Sequence, residues 1–143
     1  MILYLDTSAL VKLYINESLS NVVHKAVAKA DAVATHHLAF VESHSSFARL
    51  LREKAIGEED YEMLKKKFQK EWGSYLKVGF GNNLLQKASE YIEAFALRAY
   101  DSVHLAAAHN IYSQEQQDLV FACFDKKLNQ AAKILNFELL QSI

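Results

Sequence analysis

Proline is absent from these 143 residues, and glycine occurs only four times, at Gly57, Gly73, Gly79 and Gly81. That scarcity speaks against flexible linkers and against an all-β architecture built on many tight turns. The single cysteine, Cys123, cannot close an internal disulfide, and no basic-then-apolar leader precedes the first apolar segment. A reducing, cytoplasmic setting is therefore expected. No apolar run approaches the roughly 20 residues needed to cross a bilayer, which argues against a membrane partner. Neither charge dominates: 16 Lys and Arg against 17 Asp and Glu give a formal net charge of -1. Bulk electrostatics thus attract no polyanion, and any nucleic-acid contact has to be local. A zinc site is not expected either. HExxH does not occur, and His104 and His109 lie five apart rather than at the spacing of four that aligns two ligands on a helix.

What is present is ample core material, with 51% hydrophobic and 11% aromatic residues, enough for one domain spanning residues 1–143. Residues 2–5 (Ile-Leu-Tyr-Leu) form a short, continuously apolar run that ends at Asp6-Thr7-Ser8, the pattern of a buried strand feeding a helix N-terminus. Helices are expected over 9–14, 19–29, 38–54, 58–72, 84–96, 100–108 and 126–135. In the third of these Val41, Phe47, Ala48 and Leu51 recur at helical intervals beside Phe40, and Gly57 marks its stop. Strands are expected over 32–35, 75–78, 119–124 and, at an edge, 137–140. Strands alternating with helices give a three-layer α/β/α fold on a parallel sheet of about five strands.

In open sheets of this kind ligands collect beyond the carboxyl ends of the strands. Asp6 and Asp125 each follow an apolar strand, while Glu42 and Asp101 stand near the starts of helices that begin at the same edge. Four carboxylates in one pocket repel one another unless cations neutralise them. Hard oxygen ligands suit magnesium or manganese, and the chemistry such a site supports is phosphodiester hydrolysis by one ion or two. Each acid also has a plain structural reading. Asp6, Asp101 and Asp125 are good N-caps, and Glu42 suits the first turn of a helix.

The order of the pieces resembles the PIN-domain nucleases and, within them, the VapC-type toxins of toxin-antitoxin pairs. The pieces are Leu5-Asp6-Thr7-Ser8-Ala9-Leu10, Phe40-Val41-Glu42, Arg98-Ala99-Tyr100-Asp101-Ser102-Val103-His104 and Phe124-Asp125-Lys126-Lys127-Leu128. The resemblance implies a PIN-like fold with a parallel five-stranded sheet and a metal-dependent endoribonuclease whose quartet is Asp6, Glu42, Asp101 and Asp125. It implies Thr7 or Ser8 near that quartet, and Ser102 is a further near-site candidate. It also implies an RNA substrate, frequent homodimers, and an antitoxin partner that blocks the active site. The chain departs from the pattern at Cys123, where a Ser or Thr is common two residues before the last Asp, and at His36 and His37 after Thr35.

Lys12, Arg98, Lys126 and Lys127 adjoin motif residues and are candidate RNA contacts, with a surface-charge reading left open. Lys65-Lys66-Lys67 reads as a solvated helix face, His24 and His44 as helix-surface residues, and Cys123 as strand packing. An antitoxin groove is expected on the early helices around Leu13, Tyr14, Phe47 and Leu50. Two other functions stay in view: a PIN-like DNA nuclease, and a non-catalytic protein-binding module.

Overall fold

Four consecutive buried residues, Ile2–Leu5, make strand β1, the central strand of the computed structural model, which describes residues 1–141. Side chains alternate across a strand. Ile2 and Tyr4 therefore enter one core while Leu3 and Leu5 enter another on the opposite face. A strand with no polar side needs cover on both faces, and this one has it.

The other strands are β2 (Ala32–His36), β3 (Leu76–Val78), β4 (Leu119–Ala122) and β5 (Glu138–Leu139). They line up in the order β3-β2-β1-β4-β5, and every pairing is parallel. One face is covered by α1 (Thr7–Leu10), α2 (Ser20–Lys29), α3 (Leu38–Arg52) and α4 (Glu58–Trp72). The other is covered by α5 (Asn82–Phe95), α6 (Ala99–Glu115) and α7 (Lys126–Ile134). This is the expected three-layer α/β/α fold on five parallel strands. The chain turns from β1 first toward β2 and β3, then crosses over to β4. The crevice beyond the carboxyl ends of β1 and β4 is thus the topological switch point, where such sheets bind ligands.

Local chemistry explains where boundaries moved. The first helix starts at Thr7 rather than Ala9 because Asp6 accepts the Ala9 amide, and it passes into a 3-10 turn, Val11–Leu13. Helix α3 stops at Arg52, with Lys54 in the left-handed region (φ 59), whereas Gly57 opens α4 as its N-cap. Helix α6 runs seven residues past the expected end, until Gln116 turns left-handed at φ 51. The buried stripe of α3 is Ala39, Ser43 and Phe47, spaced by four; Val41, expected inside, is 66% exposed.

The expected antitoxin groove is corrected at Phe47 and Tyr14, while Leu13 and Leu50 are half-buried. Phe47 is 0% exposed, in a cluster with Tyr14, Phe68 and His44, and the Tyr14 hydroxyl is bonded to Glu71 and Tyr75. These residues are core. His44 is likewise part of that cluster and not a surface group, whereas His24 is exposed. Among the described residues no helix is long and apolar enough to cross a membrane.

Candidate active site

Asp6 leaves β1 with its amide donating to the Ala122 carbonyl (3.1 Å), which ties the ends of β1 and β4 together. Its Oδ1 accepts from the Ala9 amide (2.9 Å) and the Ser8 hydroxyl (2.7 Å). The capping reading is therefore correct, but it occupies one oxygen only. Burial pushes the carboxyl up to about 6, and the neighbouring Asp101 adds to that, against the opposing influence of His104, Ser8 and Ala9. Ser8 also accepts the Phe124 amide (3.1 Å), so the near-site hydroxyl ties the loop after β4 to the start of α1.

Asp125 caps α7 by accepting the Leu128 amide at Oδ1 (2.8 Å). Asp101 lies in the first turn of α6 but does not cap it, since no side chain caps that terminus. Its Oδ2 accepts from Arg98 Nε at 3.0 Å, and Arg98 Nη2 stands 3.6 Å from Asp125 Oδ2. The guanidinium, 61% exposed, is thus the cation between these two acids. Burial raises the Asp101 carboxyl above its usual range, outweighing Arg98, and Asp125 raises it further.

Glu42 is the fifth residue of α3, beyond the first turn, so the dipole reading does not describe it. Its Oε1 accepts two hydrogen bonds, from Thr7 Oγ1 (2.6 Å) and from His104 Nε2 (2.9 Å). Burial alone would raise this carboxyl; His104 and Thr7 outweigh it and hold it below the usual value. His104 is the functional-edge residue that the sequence reading missed. It stands three residues after Asp101, which puts both on one helical face, and that spacing was the available signal.

The remaining candidates divide. Thr7 and Ser8 contact the acids, but the Ser102 hydroxyl donates to the Ala99 carbonyl (2.7 Å) inside its own helix turn. Lys126 and Lys127 are exposed at the start of α7, beside Asp125. Lys12 is not presented to solvent. Its ammonium donates to Glu17 (3.0 Å) and the Ser18 carbonyl (2.7 Å) and lies over the Phe124 ring, with the side chain 11% exposed.

Cys123 is buried, its thiol donating to the Asp125 carbonyl, and burial together with Asp6 pushes it far from ionisation. A buried thiol held so far from ionisation is no nucleophile. His36 is wholly buried beneath Phe80; burial lowers it to about 4, so it is neutral at physiological pH. His37 packs against Trp72.

Glu42, Asp6, Asp101 and Asp125 therefore lie along one sheet edge, joined through Thr7, His104, Ser8 and Arg98. Among the described residues, no three His, Cys, Asp or Glu side chains are close enough, as placed, to close around an ion. The donor chemistry nonetheless suits a hard divalent cation: carboxylates only, two of them raised by burial, with Glu42 held by one oxygen and Asp6 bonded through one. A cavity of about 540 Å³ is lined by residues such as His24, Ala32, Lys67 and Tyr75. It lies toward the opposite end of β2 and is no part of this edge.

Fold and site together define a parallel α/β domain with an acidic carboxyl edge. The PIN domain family model matches residues 3–134, and the chain belongs to that family. It is 28% identical over 131 residues to ribonuclease VapC45 of Mycobacterium tuberculosis, an alignment covering 92% of this chain and 89% of the relative. The fold is that of FitAcB from Neisseria gonorrhoeae (TM-score 0.67, 18% identity, 99% of this chain and 97% of the other). It is also that of a chain in a toxin-antitoxin complex from Klebsiella pneumoniae (TM-score 0.58, 11% identity, 82% of each).

Proposed function

We infer that this chain is a metal-dependent endoribonuclease that hydrolyses RNA phosphodiester bonds, and that it is the toxin of a toxin-antitoxin pair. The observation that carries the reading is the meeting of Asp6 and Asp125 at the β1/β4 switch point, with Asp101 and Glu42 drawn to the same edge by Arg98 and His104. Similarity to a named ribonuclease over most of both chains supports the substrate class.

Asp6, Glu42, Asp101 and Asp125 would hold Mg2+ or Mn2+. When bound, the ion supplies Lewis-acid activation of water and neutralises charge on the phosphate. The protein's own contribution is positional. Asp6 and Asp125 are each pinned by a helix-capping bond on one oxygen, and Thr7 fixes Glu42. Arg98, which stands between Asp101 and Asp125, would give way to the ion, and its guanidinium would suit a phosphate oxygen of the substrate. Lys126 and Lys127 are exposed on the same side for further backbone contacts, which this near-neutral chain must supply locally.

The test uses purified protein and an RNA pool with Mg2+ or Mn2+. Cleavage is expected, and it is expected to vanish with chelator and in Asp101→Asn folded as judged by circular dichroism. Retained cutting in that variant would sink the site. Single-stranded DNA in parallel decides the substrate, since DNA cut faster than RNA would favour the DNA-nuclease alternative. A protein-binding module is favoured by the carboxylates not closing around an ion as they are placed. Calorimetric titration with Mn2+ separates it, because a module takes up no carboxylate-dependent metal. An antitoxin partner belongs to the proposal, supported by the toxin-antitoxin complex that shares the fold; a cytoplasmic location and a homodimer complete it on the sequence and the family resemblance alone. Size-exclusion chromatography with light scattering checks the dimer.

A further inference from the structure

Behind Glu42, His104 and a second residue, Tyr4, form a deeply buried polar chain. The Tyr4 hydroxyl lies 2.8 Å from His104 Nδ1, and His104 Nε2 lies 2.9 Å from Glu42 Oε1 and 3.2 Å from Thr7 Oγ1. Tyr4 is wholly buried and His104 is 1% exposed. The three groups come from β1, α6 and α3, separated in sequence by 100 and 62 residues. Interior polar groups are costly unless they are satisfied. Packing alone does not require them here, because Tyr4 already stacks flat on Phe121 (5.6 Å, 6° between planes), a contact a phenylalanine would make equally well.

The proton arrangement that satisfies the chain has Tyr4 donating to Nδ1, which puts the ring proton on Nε2, facing Glu42. Thr7 donates to the same carboxylate oxygen. Both donors fall on Oε1, which leaves Oε2 as the oxygen without a hydrogen bond. We propose that Tyr4 and His104 are positioning residues that hold the Glu42 carboxylate by Oε1 and thereby present Oε2 to the divalent cation. This rests on the metal-dependent reading above and deepens it. Partners of this kind behind a ligating group fix its rotamer before the ion arrives, and their loss commonly costs 10–100-fold in metal affinity.

Mn2+ alone is the probe. The full-length chain is titrated at one fixed pH, free Mn2+ is read by electron paramagnetic resonance, and melting temperature is recorded for every variant. His104→Ala should weaken Mn2+ binding by about 10–100-fold. His104→Gln, which keeps an N–H donor near the Nε2 position, should recover most of that loss. Tyr4→Phe should weaken binding by several-fold while remaining folded, and it carries the test alone if His104→Ala does not fold.

Cleavage assays should show the loss in kcat at sub-saturating metal and its partial recovery at high Mn2+, with KM for RNA unchanged. Wild-type affinity in both His104→Ala and Tyr4→Phe would overturn the proposal and leave the pair as core packing. So would a Gln variant no better than Ala. If wild-type protein itself takes up no Mn2+, the metal-dependent reading falls first and this one with it. Binding that is normal in wild type and in all three variants overturns the positioning role only.

Discussion

The two halves of the acidic edge are built differently. Glu42 is held from the interior, by a wholly buried tyrosine and an almost wholly buried histidine whose partners lie in three separate elements. Asp101 and Asp125 are held from outside, by the mostly exposed guanidinium of Arg98 only three residues before Asp101. Interior hydrogen bonds in low dielectric are strong and slow to exchange, whereas exposed ion pairs contribute little and give way to competitors. One half is therefore set by folding, and the other is open to replacement by a stronger cation.

The largest effect should come from removing an acid outright. Asp101→Asn or Glu42→Gln should cost roughly 10³-fold or more in RNA cleavage, the scale of several kcal/mol of charge stabilisation. Equal losses in single-turnover kinetics would mean both halves serve the same step. A small loss in one would confine the site to the other.

Asp6, at the junction of the two halves, should show the opposite sign in stability. Its folded carboxyl is raised from 3.8 to about 6. Its stabilising contribution is therefore complete below the unfolded value and lost as pH rises through about 6. In chelator at pH 8, Asp6→Asn should be more stable than wild type, by on the order of 3 kcal/mol, since asparagine keeps the cap. The gain should disappear near pH 4.

His36 moves the other way. Lowered by burial to about 4, it stabilises the fold above its ordinary value of 6.5, and that contribution is lost as pH falls toward 4. With Asp6 gone, acid sensitivity over that window should increase in urea melts. No change in slope between wild type and Asp6→Asn would refute the Asp6 assignment.

Arg98→Ala tests the exposed half. Mn2+ affinity should rise by about fivefold or less, because an exposed pair is worth about 1 kcal/mol at most, while KM for RNA rises as a phosphate contact is lost. Weaker Mn2+ binding would mean that Arg98 orders the acids for the ion. The smallest effect is expected at Lys12, which is tied to Glu17 and Ser18 away from the acids. Lys12→Ala should cost about 1 kcal/mol in a urea melt and leave KM for RNA unchanged; a raised KM would return it to the RNA surface.

Much of this was legible along the chain. Ile2–Leu5 followed by Asp6, and Leu119–Ala122 followed closely by Asp125, mark strands and their carboxyl ends because strand periodicity and helix capping act over only a few residues. Val41 and Phe47 were less legible. Both suit a helical stripe, but which side of α3 faces inward depends on how α4 packs against it, and only Phe47 lies on that side. Lys12 adjoins the motif in sequence, yet its long side chain folds back over Phe124.

The linear order of residues, by itself, settled the alternation of strand and helix and the parallel three-layer sheet, since local periods and connection handedness suffice for these. Tertiary packing alone decided which carboxylate oxygens are engaged, that Arg98 bridges Asp101 and Asp125, and that Tyr4 and His104 stand behind Glu42. Contacts across 62 and 100 residues depend on how helices seat against the sheet. No local rule fixes an ångström-scale meeting of side chains from separate elements.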